Sequence, residues 1–454
     1  MANQKGSSGF ALSGKDEIEL ADVNVEIGGT TVYDAKEILV GCEALGRKLC
    51  GRKPPTIYRV PLSLRDLSPR SYNPSVVSIG PLHREDKTLQ EFECQKAIYL
   101  HHLLKQYSDD DQPKNILDKC LKKVNTSIPK IRECYGETIP CTDAELAKMM
   151  VMDACFILEF FFPSHEHELL ISGNFILQNS ISNDLVLLEN QIPFFVLQDV
   201  FDILFEFPKG RSLTLAILKG LEYLNPLKVE TYNVVKDPHH VLGLLQNSFH
   251  SAAIDIIDYR PLSPMSKHSA LELDKAGVKF KPNESGNWSL AIDFSSSWVE
   301  SFCWCCTNRT LRMPVMQIHD YSETFLRNII AYEQCTPDVP NYVTSYSLAI
   351  DFLVENPEDL SMLIKSKIVT NDLGSNEVAA NMINNIGKKV NFREFYYLAQ
   401  WNQLDGYYNG CWPKNIARLK RTYFNSPWNA IALFAGIILF ALTLIQTIYA
   451  VKAK

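Results

Sequence analysis

Nucleophile-elbow GxSxG, Walker A, GxGxxG and HExxH patterns are all missing from this 454-residue chain. Hydrolysis by an activated serine, phosphate cradling, dinucleotide binding and zinc-assisted hydrolysis therefore lose their usual signatures. A strong excess of one charge sign is lacking too. The net charge is -7 and the pI near 5.9, which gives no electrostatic reason to expect nucleic acid as a partner. The opening residues, MANQKGSSGFALSGKDEIEL, hold no apolar stretch long enough for a secretory signal. Cysteine is present, with 12 in the chain, but is spaced neither as a disulfide scaffold nor as a zinc array. The densest group, Cys303, Cys305 and Cys306 in CWCC, lacks the CxxC geometry that zinc prefers. The cysteines read as mostly buried thiols, with a redox or disulfide role for the 303–306 group left open.

What the chain does have is apolar residues, 46% of the total, enough for a large core. One run stands apart. AIALFAGIILFALTLIQTIYAV, Ala430 to Val451, is 22 residues without a formal charge. As a helix it reaches about 33 Å against a hydrocarbon core of about 30 Å. Trp428 and Tyr449 mark its two ends, where amphipathic rings favour the membrane interface. Lys414, Arg418, Lys420 and Arg421 precede the run, and Lys452 and Lys454 follow it. That bias predicts a single-pass C-terminal anchor with the bulk of the chain in the cytosol, the plasma membrane being one candidate site. A three-residue tail after the span also implies insertion after synthesis. The sequons at Asn125, Asn283, Asn287 and Asn308 would matter only on the opposite side. Within the anchor, Ala432, Gly436, Thr443 and Thr447 fall near one helical stripe with Gln446 beside it. This pattern suggests pairing of spans and hence a homo-oligomer; the plainer alternative is that Thr and Gln simply lie near the interface.

Between its ends the chain predicts a mainly α fold: a multi-helix globular domain with a small antiparallel β insertion and one C-terminal transmembrane helix. Residues 1–52 read as a variable, partly disordered segment, with DAKEILVGCEALGRKL as one short helix. The helical domain is placed at 53–425, short strands around 276–320, and the anchor at 430–451. IYRVPLSLRDLSPRSYNPSVVSIGPLHR has no helical period, yet Ile57, Tyr58, Val60, Tyr72, Val76, Val77 and Ile79 make it an ordered extended segment rather than a linker. Leu89, Phe92, Tyr99, Leu100, Leu103 and Leu104 follow at helical spacing. TDAE at Thr142 has the capping-box form and opens a helix, apolar almost all round, that stops at Pro163. VKFKP, SLAIDFS and LRMPVMQIHD alternate as short strands do.

Candidate chemistry rests on acidic residues inside apolar sequence. Asp153 and Glu159 share the TDAE helix but lie about 240° apart around its axis, so they cannot converge on one substrate. NDLVLLENQIPFF, residues 183–195, places Glu189, Asn190 and Gln191 in the middle of an apolar run. A perturbed carboxylate pair across a helix interface, with His83 assisting, would make the chain a hydrolase or transferase. The other reading is a structural polar joint. Asp184 then caps a short helix, Pro193 opens the next, and the three polar side chains satisfy the two helix ends that meet between them. His165 and His167 in SHEHE read as a solvated turn rather than a metal site, and no metal or cofactor is expected.

VPLSLRDLSPRSYNPSVVSIGPLHR, MMVMDACFILEFF, DLVLLENQIPFFVL, AGVKFK, ETFLRNIIAYEQC and YFNSPWNAIALFAG with LTLIQTIYA occur in that order over about residues 56–451. In this the chain resembles the plant domain-of-unknown-function 247 family (UPF 0481-type proteins). The resemblance implies a plant source, a mostly helical domain and a C-terminal anchor, with no established reaction or catalytic residue. Some members are encoded at grass self-incompatibility loci and taken as recognition determinants, a role that belongs to those members. The functional expectation is a membrane-anchored protein-interaction or recognition module with an unidentified protein partner. The alternatives are an enzyme of unrecognised type and a membrane scaffold.

Overall fold

A computed structural model of the chain describes residues 54–107, 113–163, 174–205, 212–227, 237–250, 266–283, 288–296, 309–392, 394–410 and 427–452. The chain divides into Met1–Lys53 and Pro54–Lys454, and all described residues belong to the second unit. The expected helix at 34–49, the CWCC group and the SHEHE histidines lie outside them.

The architecture is mainly α. Sixteen α-helices occur among the described residues: α1 Leu62–Arg65, α2 Gln90–Tyr107, α3 Pro113–Thr126, α4 Ile128–Glu133, α5 Asp143–Phe161, α6 Phe175–Leu185, α7 Phe194–Leu204 and α8 Leu213–Leu221, then α9 Val241–Asn247, α10 Ala270–Lys275, α11 Ser322–Cys335, α12 Tyr342–Leu353, α13 Pro357–Lys365, α14 Asn376–Ile386, α15 Leu398–Asn409 and α16 Pro427–Lys452. The centre is α5. Thr142 and Glu145 close the capping box that TDAE predicts, and twelve of the helix's residues are buried. Helix α2 packs along one side of α5, and α3 and α7 along others. Phe156 meets Phe92 edge-on at 5.6 Å and Tyr99 at 4.8 Å. Such rings supply both apolar area and a preferred geometry.

The strands are β1 Lys279–Pro282, β2 Asp293–Ser296, β3 Arg309–Met313, β4 Met316–Ile318 and β5 Val369–Asn371. The expected antiparallel pairing holds for β2 with β3, whereas β1 joins β3 in parallel. β4 pairs in parallel with the distant β5. Alternation reveals a strand but carries no information on its neighbour, so direction had to come from topology.

Residues 57–84 cross this body as a strap. Its regular structure is limited to α1 and a 3-10 turn at Pro69–Ser71, yet Ile57, Val60, Tyr72, Val77 and Ile79 are all buried. Backbone groups in such a segment must find partners outside a helix or ladder. Among the described residues, the only regular bridge it makes is Ile57 with Tyr135.

Helix α16 is the run of apolar residues at the C-terminus. From Ile431 to Tyr449 it is long and apolar enough to cross a membrane, and none of that window is buried against the other described residues.

Candidate functional site

The strap's partners are side chains from several separate elements of the body. From the end of α6, Asp184 accepts the N–H groups of Ser75, Val76 and Val77 at 2.8, 2.7 and 2.9 Å. Asn190 accepts from Ile79 N at 2.7 Å and donates to Val77 O at 3.0 Å and Asp184 O at 2.9 Å. On α5, Asp153 accepts from Gly80 N at 2.7 Å and from the Lys96 ammonium at 2.5 Å. Asn328 of α11 donates to Ser71 O at 2.6 Å while accepting from Leu188 N at 2.9 Å. His240, just before α9, reaches Thr56 O at 3.0 Å. The body thus reads the strap chiefly through its main chain.

Glu189 carries the charged part of the joint. Its carboxylate accepts from Val60 N at 2.6 Å and from the Arg65 guanidinium. His83 Nε2 lies 3.0 Å away and Arg59 Nη1 3.8 Å away. Burial pushes this carboxyl up, but His83, the Val60 N–H and Arg65 together outweigh it and hold it below the usual range. At Asp153 the balance is reversed: burial raises the carboxyl, and Lys96 and the Gly80 N–H oppose it only in part. Lys96 is itself fully buried, bonded to Ser78 O and 2.7 Å from Glu93. Asp184 is likewise raised by burial, against its three backbone donors.

Gln191 does only part of what the sequence assigned to the cluster, reaching the end of α6 and the start of α9 rather than the helix that follows Pro193. Its amide donates to Leu185 O at 2.7 Å and Leu187 O at 2.8 Å, and it accepts from Leu242 N at 3.2 Å in the first turn of α9. Leu185 O and Leu242 N are end groups of two helices. Its own carbonyl takes the Tyr135 hydroxyl at 3.0 Å and sits where a Cβ on Gly80 would fall, 2.5 Å away. Gly80 has φ +72°, so both sterics and backbone conformation call for glycine there.

Two expectations from the sequence are corrected here. Asp184 does not start a helix; it lies in the last turn of α6, whose N-cap is Asn174, accepting from Leu177 N at 3.0 Å. The stretch after Leu185 is non-helical up to Pro193, which is the N-cap residue of α7. Glu189 faces the strap rather than the helix ends, and Asn190 serves the strap as well as the end of α6, because nearby sequence cannot show partners from a segment more than 100 residues away. Asp153 and Glu189 share no hydrogen-bond partner. Glu159 is fully buried on α5, where its charge acts on Tyr99.

Lys96, Asn328 and Arg65 are not singled out by the sequence. Lys96 leaves a readable signal, since it falls on the apolar stripe of α2 made by Phe92, Tyr99 and Leu103. In the anchor, a Cβ added at Gly436 would meet no atom within 4 Å. The Thr443 and Thr447 hydroxyls each donate at 2.8 Å to the carbonyl four residues back in their own helix. No group of three metal-ligating side chains occurs among the described residues.

Comparison with known proteins finds the same frame. The family described as plant protein of unknown function, DUF247, matches residues 57–442. The chain is 28% identical to UPF0481 protein At3g47200 of Arabidopsis thaliana, over 92% of this chain and 89% of the relative. It is 25% identical to a second Arabidopsis thaliana UPF0481 protein, At3g02645, over 86% of this chain and 89% of that one. No solved structure matches it. The match runs from the first buried residue of the strap into the apolar C-terminal helix, and on that extent the chain belongs to the plant DUF247 family of proteins of unknown function.

Proposed function

We propose that this chain is a single-pass membrane protein whose helical body faces the cytosol and acts as a protein-interaction or recognition module. The observation that carries the reading is α16, whose Leu439, Phe440 and Tyr449 are 64%, 70% and 71% exposed along a window that no other described residue covers. Apolar area of that extent is stable in hydrocarbon and costly in water. Cys94, Cys120, Cys134, Cys141, Cys155 and Cys335 are all free thiols, which fits a reducing compartment. The interaction role is supported by the joint. Asp153, Asp184 and Glu189 are engaged by main-chain N–H groups and cations, a use of buried carboxylates that builds a fixed platform.

Topology is tested by protease added outside sealed vesicles that carry the chain. Digestion of the body, with the exposed sequon Asn125 free of glycan, is the expected result. A protected body glycosylated at Asn125 would place it on the other side and remove the cytosolic partner pool. A second reading, acid–base catalysis as a hydrolase or transferase, is favoured only by the approach of His83 to Glu189. Self-association through α16 is a further part of the proposal, and it rests on Ala432, Gly436 and Gln446 more than on the two threonines, whose hydroxyls are already bonded. Replacing Gly436 and Gln446 with Leu should weaken association of the span in a membrane reporter assay; unchanged association would reject it.

A further inference from the structure

Glu333 is a buried carboxylate that takes no part in the strap. It lies in the last turn of α11 and accepts from Val343 N at 3.0 Å, Thr344 N at 2.8 Å, the Thr344 hydroxyl at 2.6 Å and Gln246 Nε2 at 3.3 Å. The two N–H groups belong to the first turn of α12, where no intrahelical acceptor exists. Gln246, on α9, also donates to Pro340 O at 2.8 Å in the turn that joins α11 to α12. One carboxylate therefore ties three helices together.

Asp153 has Lys96 and Glu189 has Arg65, but Glu333 has no cation within ion-pair distance among the described residues. The groups around it are mostly aromatic. Tyr332 precedes it and meets His239 Nδ1 at 2.6 Å and the His240 ring at 4.7 Å. Tyr342 of α12 lies 3.4 Å from His250 Nδ1, and Tyr396 reaches Glu394 at 3.2 Å beside Tyr397. Burial pushes Tyr332, Tyr396 and Tyr397 up and His240 down to about 3, so these four keep one charge state around neutrality. A buried carboxylate without a cation lowers its cost by taking a proton. The Thr344 hydroxyl keeps its contact in both states, since it donates to the ionised form and, turned about its C–O bond, accepts from the neutral one.

We propose that Glu333 is a proton-operated latch on α12, holding that helix against α9 and α11 when neutral and loosening it when ionised. Burial pushes the carboxyl up to about 7, ahead of the opposing bonds from Thr344, Val343 and Gln246. An acid raised in the folded state stabilises it fully below the unfolded value of 4.5 and loses that effect as pH rises through about 7.

The test is hydrogen exchange of the α12 amides in the full-length chain in lipid nanodiscs, at about pH 6 and about pH 8.5, corrected for the intrinsic rate. Opening should be roughly ten-fold more frequent at the higher pH. Glu333→Gln should flatten the profile, and Glu333→Met serves where the amide fails to fold. Imidazoles also change charge near neutrality, so His239→Gln and His250→Gln are made in parallel and should keep the wild-type profile. Equal protection of wild-type α12 at both pH values overturns the proposal. So does a pH effect that survives loss of Glu333, or one that vanishes with either histidine.

Discussion

Lys96→Met should destabilise the folded chain by about 3–5 kcal/mol, the typical result of removing one partner from a buried ion pair. The methionine keeps the apolar stem packed on α5 but leaves Asp153 without its cation and Ser78 O without its donor. Asp153 is already raised by burial, and losing Lys96 raises it further. A raised acid pKa means that the folded state binds the proton more tightly, so the deficit should shrink as pH falls and widen as it rises. Adding Asp153→Asn removes the orphaned charge while keeping an acceptor for Gly80, and should recover a large share. Denaturant unfolding of the solubilised full chain at two pH values measures all three. A pH-independent loss of the same size would show that packing, rather than charge, sets the cost.

Glu189→Leu should cost about 3 kcal/mol, mainly from the Val60 N–H and the Arg65 guanidinium left without an acceptor. Arg59 is 49% exposed and turns to water, so it adds little. The wild-type carboxyl is held below its usual range, so its contribution is present above the unfolded value and fades as pH falls through the folded one. Acid should therefore narrow the gap between wild type and variant. His83→Gln offers the separating experiment. If the joint is structural, stability drops modestly and partner capture persists as far as the fold does. A stable His83→Gln protein that loses a measurable turnover would instead favour the acid–base reading.

How much of this was legible depends on the distance over which each feature is specified. The capping box at Thr142 and the apolar run of α16 are local, and both are where the sequence places them. The polar interruption at Glu189–Gln191 announced that something buried needed partners, and Gln191 does serve the nearby end of α6, while its other helix end, the start of α9, lies 51 residues on. Glu189, Asn190 and Asp184 serve a segment that no periodicity links to them. Asp184 misled because aspartate near a break favours an N-cap, whereas here its oxygens point to another chain segment at the end of a helix. Lys96 was readable in principle, as a charge on an apolar stripe, and Glu333 was not, because α11 carries one acid half-buried and one fully buried with nothing local to tell them apart.

The strap has one more consequence, for the order of events during synthesis. Ser71 and its acceptor carbonyl emerge 257 residues ahead of Asn328, which donates to it. At about 5–20 residues per second that interval is roughly 13–50 s. Val60, Val77 and Ile79, all buried in the finished fold, wait a shorter time, 129, 107 and 111 residues, for Glu189, Asp184 and Asn190 to hold their backbone. The first part of the body to be made thus settles in stages, and the nascent chain carries an apolar, hydrogen-bond-hungry segment until residues 184–190, and then Asn328, have been made.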